Sequence, residues 1–109
     1  MDEKYQAILC IVNSGFSETV MAAARECGAK GGTVINARGT AKEETEKLFN
    51  ISVHPEKEIV IILATNDISD AILHAVYKAC GLNTPGQGIA FTVPVDDVIG
   101  ISGKKQISE

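Results

Sequence analysis

Basic residues are in short supply: ten Lys and Arg against fourteen Asp and Glu leave a formal charge of -4 and a pI near 5.1. The few cations are scattered, so no positive stripe is available for a nucleic-acid backbone, and DNA or RNA is excluded as the expected partner. Long hydrophobic runs are missing as well. The start Met1-Asp2-Glu3-Lys4 is charged, and the apolar run after it is cut at Asn13, Ser14 and Gly15. That pattern fits neither a signal peptide nor a membrane span, so a cytoplasmic protein with no direct membrane insertion is expected. Cys10, Cys27 and Cys80 are odd in number and form no C-x-x-C pair and no Cys/His set at metal spacing. Buried reduced thiols are expected, with no metal required. His54, beside Pro55 in a turn, and His74, in a helical stretch, have no Ser or Cys signal next to them. A nucleophile with its base is not legible, and no enzyme is expected.

What is present is apolar content of 45% in 109 residues, enough for a single domain over residues 1–109 with one core and no disulfides. Ala7 to Val12 is apolar at both parities, which predicts a strand covered on two faces. Ser17 is the expected N-cap of a first helix whose stripe Val20, Met21, Ala24 runs to Cys27 before Gly28. Gly31-Gly32 reads as a tight turn into a second strand, Thr33 to Ala37. Arg38 to Lys47 is strongly polar and predicts an exposed excursion. The alternation that follows, Leu48 to His54, predicts an edge strand or hairpin arm, so 38–54 forms one exposed loop region. A third core strand is expected from Glu58 to Ala64. Asp67 or Ser69 is expected to cap a second helix with stripe Ile68, Ala71, Ile72, Ala75, Val76, Ala79 and terminator Gly81. Ile89 to Val93 is the fourth strand, and 100–109 a polar tail with Lys104 and Lys105.

The order β-α-β-β-α-β, with its two halves echoing each other around Cys27-Gly28 and Cys80-Gly81, predicts an α+β, ferredoxin-like sandwich. Two helices cover one face of such a sheet, yet the first and third strands are apolar on both, so assembly of several copies is expected. Before the fourth strand, Gly86 and Gly88 flank Gln87, where main chain with φ > 0 can lie against an anion. By residue type alone this is either such a cradle or a plain turn.

The chain resembles the PII family of signalling proteins, trimers of this same unit, over nearly its whole length. The resemblance rests on Gly31-Gly32-Thr33-Val34 before the loop, on Pro55 with Glu58 to Leu63 after it, and above all on Gly86-Gln87-Gly88-Ile89, Phe91 and Pro94-Val95-Asp96-Asp97-Val98-Ile99. It implies a homotrimer that binds an adenine nucleotide (ATP, ADP or AMP) between subunits and regulates a membrane transporter or metabolic enzyme through its loop. By alignment Thr33 meets the adenine beside Gly31 and Gly32, Ile62 offers strand main chain to the base edge, Ile11 makes an apolar contact, and Gly86, Gln87 and Gly88 wrap the phosphates. Lys104 and Lys105 can swing in to a phosphate from the tail, and Arg38 and Lys42 can reach one from the loop; the alternative is that all four are solvated surface charges. The family's turn lysine is Ile89 here, its acidic residue is Gln87, and two arginines become Gly100 and Ser102. Each lost cation removes a charge-assisted hydrogen bond worth roughly 1.5 to 3 kcal/mol. The excursion is shorter than the family's loop and has no tyrosine, so tyrosine nucleotidylylation is not expected, and a PII-like branch with retuned ligand preference is implied. The other readings weighed are a structural or metal-handling trimer of the CutA type, a slow nucleotide hydrolase, and a scaffold indifferent to nucleotide.

Overall fold

The structure, a computed structural model, describes residues 4–40, 55–84 and 86–100. The expectations placed on 41–54, including His54 and Lys42, and on 101–109, including Ser102, Lys104 and Lys105, lie outside the described residues.

Among the described residues the chain runs β1 (Tyr5–Asn13), α1 (Ser17–Glu26), β2 (Thr33–Arg38), β3 (Glu56–Thr65), α2 (Asn66–Ala79) and β4 (Gly88–Val95). The strands form one antiparallel sheet in the order β2-β3-β1-β4, an α+β, ferredoxin-like arrangement. β1 and β3, the most apolar strands, take the centre, where hydrogen bonding is complete on both sides. β2 and β4 are the edges.

The pleat sorts the side chains. Ile8, Cys10 and Val12 of β1 and Val60, Ile62 and Ala64 of β3 are buried under the helices. They meet Val20, Met21, Ala23 and Ala24 of α1 and Ile72 and Val76 of α2. The predicted α2 stripe is wider than the real one, because Ala71 and Ala79 are exposed and Ser69 is buried in their place. Ser69 donates its hydroxyl to Gln6 Oε1 at 3.0 Å, so the buried oxygen is satisfied.

Both expected N-caps are corrected. Ser17 lies inside α1, behind Phe16 at the cap position, and the cap acceptor comes from another strand: Glu58 Oε1 accepts from the N–H groups of Gly15 at 3.1 Å and Ser17 at 3.2 Å. α2 begins earlier than Asp67 or Ser69 allow, with Thr65 at the cap in extended backbone. Its hydroxyl bonds Asp67 rather than the main chain. The C-termini follow the predicted repeat: Cys27 and Cys80 cap, and Gly28 (φ 108°) and Gly81 (φ 65°) turn the chain left-handed.

On the other face Leu9 lies between Ile61 and Phe91, and Ile11 between Ile59 and Ile89. Among the described residues no helix covers them. Phe91, Val93 and Ile89 of β4 are 39%, 42% and 57% exposed, a run of large apolar side chains on one sheet surface. Covering each such side chain is worth about 1.5–3 kcal/mol, so copies that packed these faces together would gain stability from it. Phe91→Asp is expected to separate the copies while the helix-side core keeps the subunit folded. Sedimentation velocity checks this, and wild-type protein sedimenting as one subunit would count against it.

The thiols are free, with Cys10 and Cys80 buried and Cys27 half-buried. Burial, with the Cys80 thiol as a second cause, pushes Cys10 from its ordinary 9.0 up to about 12, and burial alone raises Cys80. Above pH 9 the unfolded chain releases these protons while the folded chain holds them. The resulting stability is complete below about pH 9 and is lost as pH climbs towards 12. Urea denaturation across that range should show the decline, and Cys10→Ala should flatten it.

Candidate functional site

β1 and β2 run one way and β3 and β4 the other, so the last residues of the first pair meet the first residues of the second at one end of the sheet. That end gathers Asn13, Arg38, Lys57 and the turn at Gly86 to Gly88. Asn13 is 8% exposed, and both ends of its amide are engaged. Its Oδ1 accepts from Lys57 Nζ at 2.6 Å, and its Nδ2 donates to the Gly86 carbonyl at 3.3 Å. One side chain thereby holds an ammonium and the glycine turn in a set relation.

The turn is pressed on the neighbouring strand. A Cβ on Gly88 (φ 137°) would lie 2.3 Å from the Ile11 carbonyl oxygen and 3.2 Å from Val12 Cα. Gly86 has φ 85°, also in the region glycine tolerates. The Gln87 N–H donates to the Thr84 carbonyl at 3.3 Å, so this donor, expected to face a ligand, closes the turn itself.

Ile11, Gly88 and Ile89 are therefore neighbours through the β1–β4 pairing, with Gly86 and Gln87 in the turn just before. Behind them a hollow of about 350 Å³ opens between α2 and the β4 edge, lined by Leu73, His74, Tyr77 and Leu82 with Gly88, Ile89 and Ala90. Gly31, Gly32 and Thr33 are elsewhere. They lead into β2, the opposite edge, three strand spacings or roughly 14 Å from β4. Gly31-Gly32 is not the tight turn expected. Gly32 is needed for packing, since a Cβ there would lie 2.9 Å from Met21 Sδ and 3.0 Å from the Ile61 carbonyl oxygen. Ile62 is wholly buried with its side chain among the helices, so only its main chain is left to offer. Arg38 ends β2 opposite Glu56, at the same end of the sheet as the turn.

Sequence reasoning passed over Asn13, Lys57 and Glu58. A polar residue closing an apolar strand was the available signal for Asn13. Nothing local marks Lys57 or Glu58, whose partners are 41 to 44 residues away in the chain. Among the described residues no group of three or more His, Cys, Asp or Glu is placed to hold a metal ion. Among them, too, no helix is long and apolar enough to cross a membrane.

A profile of the nitrogen regulatory protein P-II family matches residues 5–105. The chain belongs to that family. Its members are signalling regulators, and the fold of this one agrees with theirs. The Arabidopsis thaliana PII protein bound to citrate superposes with a TM-score of 0.70 at 24% identity, covering 94% of this chain and 89% of that one. The B. subtilis GlnK–ATP complex superposes with a TM-score of 0.67 at 14% identity, covering 87% and 84%. At these identities the likeness is one of fold. No curated protein sequence matches the chain significantly.

In this family member Gly88 serves the fold before any ligand. Gly88→Ala is expected to cost about 3 kcal/mol or more, and Gln87→Ala about 0.5 kcal/mol or less. Urea denaturation measures both, and a Gly88→Ala protein as stable as wild type would show that β4 does not need this close approach.

Proposed function

We propose that the protein is a non-catalytic, cytoplasmic sensor that binds an adenine nucleotide at the seams of a homotrimer. In this reading the phosphate lies at the Gly86 to Gly88 turn of one copy, and the base is met by Gly31 to Thr33 of the next. The observation that carries it is the corner at the end of β1, where a left-handed glycine turn is locked against main chain beside a held ammonium. Its two halves lie on opposite edges of one sheet, which suits a site completed between copies. Family membership supports the regulatory role, and ATP in the GlnK complex supports the ligand class.

Ligand binding would favour one arrangement of the loop region 38–54, and a transporter or enzyme would recognise that arrangement. Arg38 and Gly39 lead into this region and Pro55 to Lys57 lead out. The Gly39 N–H donates to the Pro55 carbonyl at 2.6 Å, and Lys57 reaches Asn13, so the base of the loop is tied directly to the corner.

Thermal denaturation with ATP, ADP, AMP, cyclic dinucleotides, S-adenosylmethionine, 2-oxoglutarate and citrate tests the reading. A ligand that binds the folded state alone raises its stability by about 2.7 kcal/mol at a hundredfold excess over Kd. Adenine nucleotides are expected to raise the melting temperature without being consumed. No shift with any of them would sink the proposal, and product formation would replace the sensor by a hydrolase.

A further inference from the structure

Lys57 is paired with Asn13 on one side and Ala37 on the other, which puts its side chain on the sheet face that no helix covers. Every other strand residue that alternates onto that face is uncharged, from Tyr5 to Ile11 on β1, from Ile59 to Thr65 on β3, and along β2 and β4. Glu56 and Glu58 alternate to the helix side, and Glu58 is engaged by the N–H groups of Gly15 and Ser17. Arg38, opposite Glu56, alternates to the helix side as well. One positive charge therefore sits at the rim of an apolar surface that other copies are expected to cover.

Covering that surface strips water from the ammonium, and an ammonium without a counter-ion is costly to bury. One of its three N–H donors goes to Asn13, and the same Asn13 ties down Gly86. An anion seated at the glycine turn would meet the remaining donors. We propose that Lys57 is the group that binds the ligand's phosphate, with Asn13 as its positioning residue, and that this charge, the one cation among the described strand residues of this face, makes the site selective for a nucleoside monophosphate over the di- and triphosphate. The inference rests on the nucleotide reading above and goes beyond it in naming the residue and the phosphate count. A second or third phosphate would bring charge that no other described cation on this face meets, and Ile89 and Gly100 supply none.

The test is calorimetric titration of the full chain with adenosine, AMP, ADP and ATP, without divalent metal. AMP is expected to bind about ten- to a hundredfold more tightly than adenosine, the scale of one charge-assisted contact, and more tightly than ADP or ATP. Lys57→Met should bring AMP down to the level of adenosine and remove the salt dependence of AMP binding, while Lys57→Arg keeps both. Lys57→Gln, which retains a donor for Asn13, should behave like Lys57→Met if charge is what matters, and serves if the methionine variant does not fold. Asn13→Ala should weaken AMP and leave adenosine unchanged. ATP binding as tightly as AMP, or Lys57→Met and Lys57→Gln keeping the wild-type preference for AMP over adenosine, overturns this inference and leaves the nucleotide reading standing. Failure of all four compounds to bind the wild type overturns both.

Discussion

Helices cover one face of the sheet and leave the other bare. β1 and β3 must be apolar on both faces because they are central, and α1 and α2 can reach only one of them. Leu9, Ile11, Ile59 and Ile61, packed beside Ile89 and Phe91, therefore form a second would-be core with no described helix over it. The hydrophobic effect acts on that area as it does on any other. A single subunit folds around Ile8, Val12, Ile62 and Ile72, while its outer face sets what else the molecule must do.

At one end of this bare face, polarity is concentrated in a few residues that each hold two elements together. Asn13 joins β3 to the turn before β4, and Glu58 joins β3 to the start of α1. Because Lys57 and Glu58 are consecutive on a pleated strand, they serve opposite faces. The carboxylate completes a helix on the covered side, and the ammonium is presented on the open side. A strand opening Glu-Lys-Glu thus places both acids away from the one charge that the described strand residues put on the open face.

Family membership and these local details bear on different questions. The P-II profile and the two superposed structures account for the order of elements and the shape of the sheet. The chemistry at the turn is this chain's own, with Ile89 and Gly100 uncharged beside it. A charge is nevertheless present nearby, supplied from β3 and held by Asn13.

The sequence by itself determined the class of fold. Runs apolar at both parities, two helical stripes closed by Cys27-Gly28 and Cys80-Gly81, and the Gly86 to Gly88 turn are local patterns, and local patterns survive without knowledge of distant partners. The placement of Ile11 beside the turn follows from β1–β4 register, which no local pattern states. The helix caps, the role of Gly32 and the engagement of Lys57 were decided only by tertiary structure. Ser17 reads as a cap until a carboxylate from β3 arrives, and Gly31-Gly32 reads as a turn until Met21 and Ile61 crowd the second glycine. Each of these depends on atoms brought together by sheet register from far along the chain. A one-residue slip in that register would send Lys57 to the covered face and Glu58 to the open one, and no property of either residue alone selects between the two.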